Sequence, residues 1–222
     1  KSTTPSFKLK SPPNVTVRLV EELLKFSVCP FVEEIVNVTG VSKVKADKEV
    51  TDSIDRLVWY AGWTDKIASL AGSTNPVAGP FYNFTIPESM GVVAAIAPET
   101  PSLLGLIDVI APIITSGNTA VVLASTKAPL SAMTFAEVLA TSDLPAGVIN
   151  ILTGKKDEIA PWMASHMDID ALDISGLPAK KHGEIKVAGA ENLKRIHSFK
   201  SADPGRITAF MEAKTVWHPI GL

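Results

Sequence analysis

Residues 88–123, ESMGVVAAIAPETPSLLGLIDVIAPIITSGNTAVVL, decide the fold of this chain. They contain two short apolar runs, at 92–97 and 119–123, separated by an apolar helical pattern over 103–115 that closes at Gly117. Apolar runs of this length are typical of strands that are buried on both faces of a parallel sheet. The stretch therefore predicts a β-α-β unit.

The same alternation continues toward the carboxyl terminus. The pattern predicts a helix, a strand, a second helix and a short strand, at residues 130–141, 148–152, 158–166 and 171–174. Right-handed crossovers would place the helices on both faces and any ligand at the carboxyl ends of the strands. The expected fold class is thus α/β, an open Rossmann-like parallel sheet with helices on both faces.

The flanking sequence divides the chain into four regions. Residues 1–13 read as an extended arm and 14–72 as N-terminal helices, namely two short ones before Gly40 and a long one from Asp47 to Gly72. The α/β domain spans 73–199. The tail, 200–222, is expected to hold a turn, a short helix and a C-terminal strand near 214–218. A mixed stretch at 178–191 and a strand at 193–199 complete the prediction.

Composition excludes several classes of partner. The 222 residues are 46% hydrophobic and carry a formal net charge of −2, with charges of both signs interspersed, so no basic footprint for nucleic acid or an anionic membrane is evident. Apolar stretches are too short or interrupted to cross a bilayer. The lone Cys29 allows no internal disulfide, and no secretory signal is recognisable, so a cytoplasmic location is expected.

Several segments resemble the cofactor domain of the aldehyde dehydrogenase superfamily in order and spacing. They are PESMGVVAAIAP, SGNTAVVL, DLPAGVINILTG and HMDIDALDISG, while EVTDSIDRLVWYAGWTDKIASL resembles the helix before that domain and TVWHPIG a strand of its oligomerisation region. The chain is most similar to the degenerate, non-catalytic second unit of the sixteenth aldehyde dehydrogenase family. The resemblance implies an NAD-binding fold.

Departures from the family fall at its working groups. Thr100 stands where the family has the Asn that stabilises the oxyanion, a donor worth roughly 10²-fold or more in rate, and the adjacent Glu99 would repel negative charge. Leu123 and Thr126 replace a Lys and a Glu that contact the cofactor ribose. Pro178 lies in the turn that should approach the pyrophosphate, and it has no amide hydrogen.

The catalytic half of the family is expected to be absent. The segment ENLKRIHSF resembles the strand that carries the general-base Glu, and Phe199 replaces that Glu. Cys29 lies far upstream and cannot be the family nucleophile. The four histidines lack the spacing of a metal set, so no metal site is expected, and His166 is read as a structural residue at a helix end. The stripe Trp59, Tyr60 and Trp63 fits an interface or a core equally well.

These observations lead to two main functional hypotheses, beside a weaker third, a regulatory sensor whose vestigial cleft holds a different small molecule. The favoured one is a catalytically inactive aldehyde dehydrogenase-like subunit that assembles with itself or with an active aldehyde dehydrogenase chain, with no cofactor and no catalytic residues. The alternative is an NAD-binding component whose catalytic residues lie on a partner chain. Six residues at strand ends are candidate vestigial cofactor contacts: Pro98, Glu99, Thr100, Ser125, Gly154 and Gly176.

Overall fold

The structure, a computed structural model, describes residues 28–221, with side chains described from Pro30 onward. The predicted arm, the first short helix and the side chain of Cys29 therefore lie outside the described residues. The elements in chain order are α1 (Val28–Thr39), α2 (Lys43–Ala61), α3 (Ile67–Ala71), β1 (Ser73–Asn75), β2 (Phe81–Ser89), β3 (Val92–Ile96), α4 (Ser102–Thr115), β4 (Thr119–Leu123), α5 (Leu130–Thr141), β5 (Ile149–Leu152), α6 (Lys156–Ser165), β6 (Ala171–Asp173), α7 (Ala179–Ala190), β7 (Arg195–His197), α8 (Gly205–Thr208) and β8 (Met211–Pro219).

A parallel sheet of five strands forms the centre, in the order β5-β4-β3-β6-β7. Alternate residues of β3 enter two separate apolar clusters: Val93 and Ala95 face α4 and α5, whereas Ala94 and Ile96 face α6 and α7. Helices therefore cover both faces, and the predicted α/β class is confirmed. The order reverses at β3, so the crevice expected to receive a ligand lies at the carboxyl ends of β3 and its neighbours.

The N-terminal helices pack on α4 and α5 rather than forming a separate core. Phe31, Leu57 and Tyr60 are buried in the same cluster as α4. Tyr60 is fully buried, and this burial raises its pKa to about 12. Trp59 is partly exposed on the same turn. The aromatic stripe is thus divided between core and surface.

A second, antiparallel sheet has the order β1-β2-β8. The whole length of β2 pairs with β8, from Phe81 opposite Pro219 to Ser89 opposite Met211. The chain passes from β7 to β8 through residues 198–210, where Phe199 and Phe210 pack edge to face. Among the described residues, no strand pairs with the outer edge of β8, although the Arg195 side chain donates to the carbonyl of Met211.

Four sequence predictions were wrong in detail. The strand predicted at 193–199 is limited to Arg195–His197. The long helix from Asp47 to Gly72 is two helices, because the chain turns at Gly62, whose amide closes α2 by donating to the carbonyl of Val58. The stretch 178–191, predicted as mixed, is the regular helix α7. The C-terminal strand is longer than predicted, because β2 offers it a nine-residue partner.

Candidate functional site at the strand ends

Glu99 is the centre of the polar contacts at the carboxyl end of β3. Its Oε2 accepts hydrogen bonds from Ser125 Oγ at 2.9 Å and from the Lys127 amide at 3.1 Å, and its Oε1 lies 2.8 Å from Lys156 Nζ. Burial alone would raise the pKa of this carboxyl, but the hydrogen bonds from Lys156, Lys127 and Ser125 outweigh it and lower the pKa. Glu99 is therefore an ionised carboxylate whose charge is balanced by Lys156.

Lys156 reaches the same point from the opposite side. It is the first residue of α6, and its Nζ also donates to the carbonyl of Ala97 at 2.5 Å. Only 8% of its side chain is exposed. Burial lowers the pKa of Lys156, and the pairing with Glu99 partly opposes this shift. The sequence-based expectation that Glu99 repels negative charge overlooked this counter-ion.

The other candidate residues line the same edge of the sheet. Thr126 Oγ1 donates to the carbonyl of Gly154 at 2.9 Å, which joins the loops that follow β4 and β5. A Cβ on Gly154 would meet the side chain of Ile159, and one on Gly176 would lie 2.2 Å from the carbonyl oxygen of Ala97. Both glycines thus allow close packing within the protein.

Pro98 and Thr100 turn away from the Glu99 contacts. Pro98 packs beside Gly105 of α4. Thr100 lines a cleft of about 410 Å³ between the β3–α4 loop and α2, together with Lys45, Lys48, Glu49 and Asp52. Glu49 Oε1 accepts a hydrogen bond from the Leu103 amide at 2.8 Å and so caps α4. Charged side chains line this cleft, and no cysteine is among its lining residues.

A buried ion pair lies at the carboxyl end of β6. Asp173, at 0% side-chain exposure, pairs with Arg206 of α8 at 2.9 Å, and its second oxygen accepts from the Ser175 amide at 2.8 Å. The Arg206 guanidinium lies 4.8 Å above the Phe199 ring. Phe199, which the sequence predicts in place of a general-base Glu, packs its apolar ring against this cation. Sequence analysis missed Asp173 and Arg206 as a pair.

The four histidines do not meet in the structure. His166 ends α6, and its Nδ1 accepts a hydrogen bond from the Asp168 amide at 3.3 Å. His197 packs between Phe199 and Phe210, and burial lowers its pKa. Within residues 30–221, no group of three or more His, Cys, Asp or Glu side chains is arranged to hold a metal.

Replacement of Gly176 by Ala tests the close packing at the end of β6. The added methyl group would overlap the backbone of Ile96 and Ala97, so we expect the free energy of unfolding to fall by about 2 to 3 kcal/mol. The matched control is Gly183→Ala on α7, where a Cβ meets nothing within 4 Å and should stabilise by up to about 1 kcal/mol. Urea denaturation measures both, and equal effects would contradict the packing role of Gly176.

The five-stranded parallel sheet, with helices on both faces and a reversal of strand order at β3, is the α/β fold typical of dinucleotide-binding domains. The family model "Aldehyde dehydrogenase family" matches residues 16–198. The chain belongs to the aldehyde dehydrogenase family.

Two curated relatives show the extent of the similarity. Human aldehyde dehydrogenase 1A1 is 35% identical over 150 residues, which is 67% of this chain and 29% of the relative. Retinal dehydrogenase 2 of Taeniopygia guttata is 37% identical over 145 residues, 64% of this chain and 27% of the relative. The chain therefore spans less than a third of the length of these relatives.

Solved structures show the same fold. PnpE from Pseudomonas sp. WBC-3 superposes with a TM-score of 0.76 at 26% identity, covering 83% of this chain and 37% of that one. Betaine aldehyde dehydrogenase from Staphylococcus aureus, in complex with NAD⁺, superposes with a TM-score of 0.76 at 21% identity, covering 84% and 37%. At this identity the likeness to the NAD⁺ complex shows the shared fold alone, and the expectation that the chain takes no cofactor is not supported.

The residues at the strand ends do not fit a dinucleotide as they stand. Lys156 and Glu99 bond to one another across the crevice that a dinucleotide would enter. Gly154 and Gly176 have protein atoms, rather than open space, where a Cβ would point. The sequence did not single out Lys156 as a site residue, because an isolated lysine at a helix start usually faces solvent.

Proposed function

We propose that this chain is a catalytically inactive aldehyde dehydrogenase-like protein that acts as an assembly subunit, pairing with itself or with an active aldehyde dehydrogenase. The observation that carries the proposal is the three-stranded sheet β1-β2-β8, whose outer strand, Met211–Pro219, has no described strand along one edge. An unpaired edge offers backbone hydrogen bonds to an added strand.

Exposed apolar side chains on this sheet support the same role. Phe81 and Trp217 contact each other on one face, with ring centroids 5.8 Å apart, and Tyr82 and Ile86 lie on the other. All four are exposed large hydrophobic residues, as is Ile220 just beyond the strand. Clustered exposed aromatic residues mark interaction surfaces in soluble proteins.

The changes at the family's working positions support inactivity. Thr100 occupies the oxyanion-stabilising position, and Phe199, under the Arg206 guanidinium, occupies the general-base position. A phenyl ring accepts no proton, so it cannot act as the base.

In this proposal, residues 73–199 form the cofactor-type unit and 200–222 its assembly tail. The chain then corresponds to the degenerate second unit of the sixteenth aldehyde dehydrogenase family, and it acts in the cytoplasm. Within residues 28–221, no helix combines the length and the apolar character of a membrane span.

Sedimentation velocity tests the proposal directly. The purified chain is run alone over a wide concentration range, and again with an aldehyde dehydrogenase from its own source. We expect a dimer or larger species, or a mixed complex, and no NAD-dependent aldehyde oxidation by the chain alone. A strictly monomeric chain that binds no such partner would overturn the assembly role, and turnover by the chain alone would overturn inactivity.

A second candidate is an NAD-binding component that works with a separate catalytic chain. The fold shared with an NAD⁺ complex favours it. It requires Lys156 and Glu99 to part when NAD binds, because their ion pair lies across the crevice. Calorimetry with NAD and NADP, in the presence and absence of the partner, separates this candidate from the first, since only the NAD-binding component should release or absorb heat.

A further inference from the structure

We infer that the Glu99–Lys156 ion pair closes the nucleotide crevice of this chain, so that the protein's own side chains occupy the place of a dinucleotide. This inference concerns the crevice alone and does not depend on assembly through β8.

The path of the Lys156 side chain supports the inference. Lys156 follows β5, at the edge of the sheet, yet its Nζ bonds to Ala97 at the end of β3, two strands away. Neighbouring strands lie about 4.8 Å apart, so the side chain and its loop cross the end of β4. A ligand lying on the ends of β3 and β4 would have to displace it.

Both charges of the pair are satisfied without a ligand. Glu99 accepts from Lys156, from Ser125 Oγ and from the Lys127 amide, and the Lys156 ammonium also donates to the carbonyl of Ala97. A dinucleotide would have to break these bonds and leave a carboxylate near its pyrophosphate. The Lys156 ammonium is almost fully buried, so breaking the pair would leave a buried cation without its counter-ion, which opposes binding.

A matched pair of double variants tests the inference. Glu99→Gln with Lys156→Ala removes the ion pair in the crevice. The control, Glu158→Gln with Lys155→Ala, removes an ion pair of the same composition at 3.0 Å on the exposed side of the same helix start. Thermal unfolding first establishes that both variants are folded.

NAD⁺ and ADP-ribose are then titrated into ¹⁵N-labelled wild type and both variants. We expect no saturable shift for wild type or the control at millimolar ligand. The crevice variant should saturate in the millimolar range, with shifts at the amides of Ala97, Gly154 and Gly176. Saturable shifts of these amides in the wild type would overturn the inference, and so would a folded crevice variant that binds neither ligand.

Lysine acetylation of the wild-type protein gives a test that needs no variant. Lys156 is almost fully buried, whereas 74% of the Lys155 side chain is exposed. Brief treatment with an acetylating reagent, followed by mass spectrometry, should modify Lys155 many times faster than Lys156. Equal rates in the folded protein would show that the ion pair does not close the crevice. Neither experiment reports on oligomeric state, so its failure leaves the assembly role standing.

Discussion

Replacement of Arg206 by Ala should lower the free energy of unfolding by about 3 to 5 kcal/mol, because it leaves the carboxylate of Asp173 buried without its counter-ion. Asp173 is fully buried and Arg206 is 4% exposed. The variant also removes the cation that lies over the Phe199 ring. Chemical denaturation, followed by far-UV circular dichroism, measures the loss.

Two comparisons establish the cause of the Arg206 effect. Arg195→Ala breaks an ion pair with Glu212 that is 3.0 Å long but about half exposed, and such pairs contribute about 1 kcal/mol or less. Adding Asp173→Asn to Arg206→Ala should restore part of the lost stability, since the unpaired carboxylate of Asp173 is then removed. A loss no larger than that of Arg195→Ala would refute the importance of this buried pair.

Replacement of Trp217 by Glu should weaken assembly strongly. Trp217 is 59% exposed on β8 and is the largest apolar side chain on that strand. If it lies in an interface, its loss should cost about 2 kcal/mol or more, which is roughly 30-fold in the dissociation constant. Sedimentation equilibrium at a series of concentrations measures the shift toward monomer.

Trp162→Glu is the matched control for the assembly prediction. Trp162 lies on α6, away from the three-stranded sheet, and is even more exposed, at 76%. The same change in size and charge should leave the dissociation constant unaltered. If both variants weaken association equally, or neither does, β8 is not the assembly surface.

The central sheet could be predicted because its signals are local. The bounds of β4 and α5 agree with the sequence prediction to the residue, since an apolar run or helical face there lies between Gly, Ser and Pro breaks. Helix α7 was missed because it contains Gly183 and Gly189 and buries only Ile185 and Gly189. Its helical state depends on packing against its neighbours, which a weak periodicity does not reveal.

The candidate site could be predicted only in part, because its charges pair over long sequence distances. The sequence placed Glu99, Ser125 and Gly176 at strand ends, as the α/β rhythm requires. Lys156 and its acceptor Ala97 are 59 residues apart, and Arg206 and Asp173 are 33 apart. Neither pairing follows from local spacing, so the counter-ion of Glu99 could be found only in the three-dimensional structure.

The pairing of β2 with β8 also has a consequence for biosynthesis. Thr85 and Thr215, whose hydroxyl groups are 2.9 Å apart, are separated by 130 residues of sequence. During translation, β2 leaves the ribosome long before β8 exists, and its aromatic residues have no partner strand on that side while the central sheet folds. Strands that are far apart in sequence pair slowly, and unpaired strands are prone to aggregate. The nascent chain is therefore most exposed to misassembly between the emergence of these two strands.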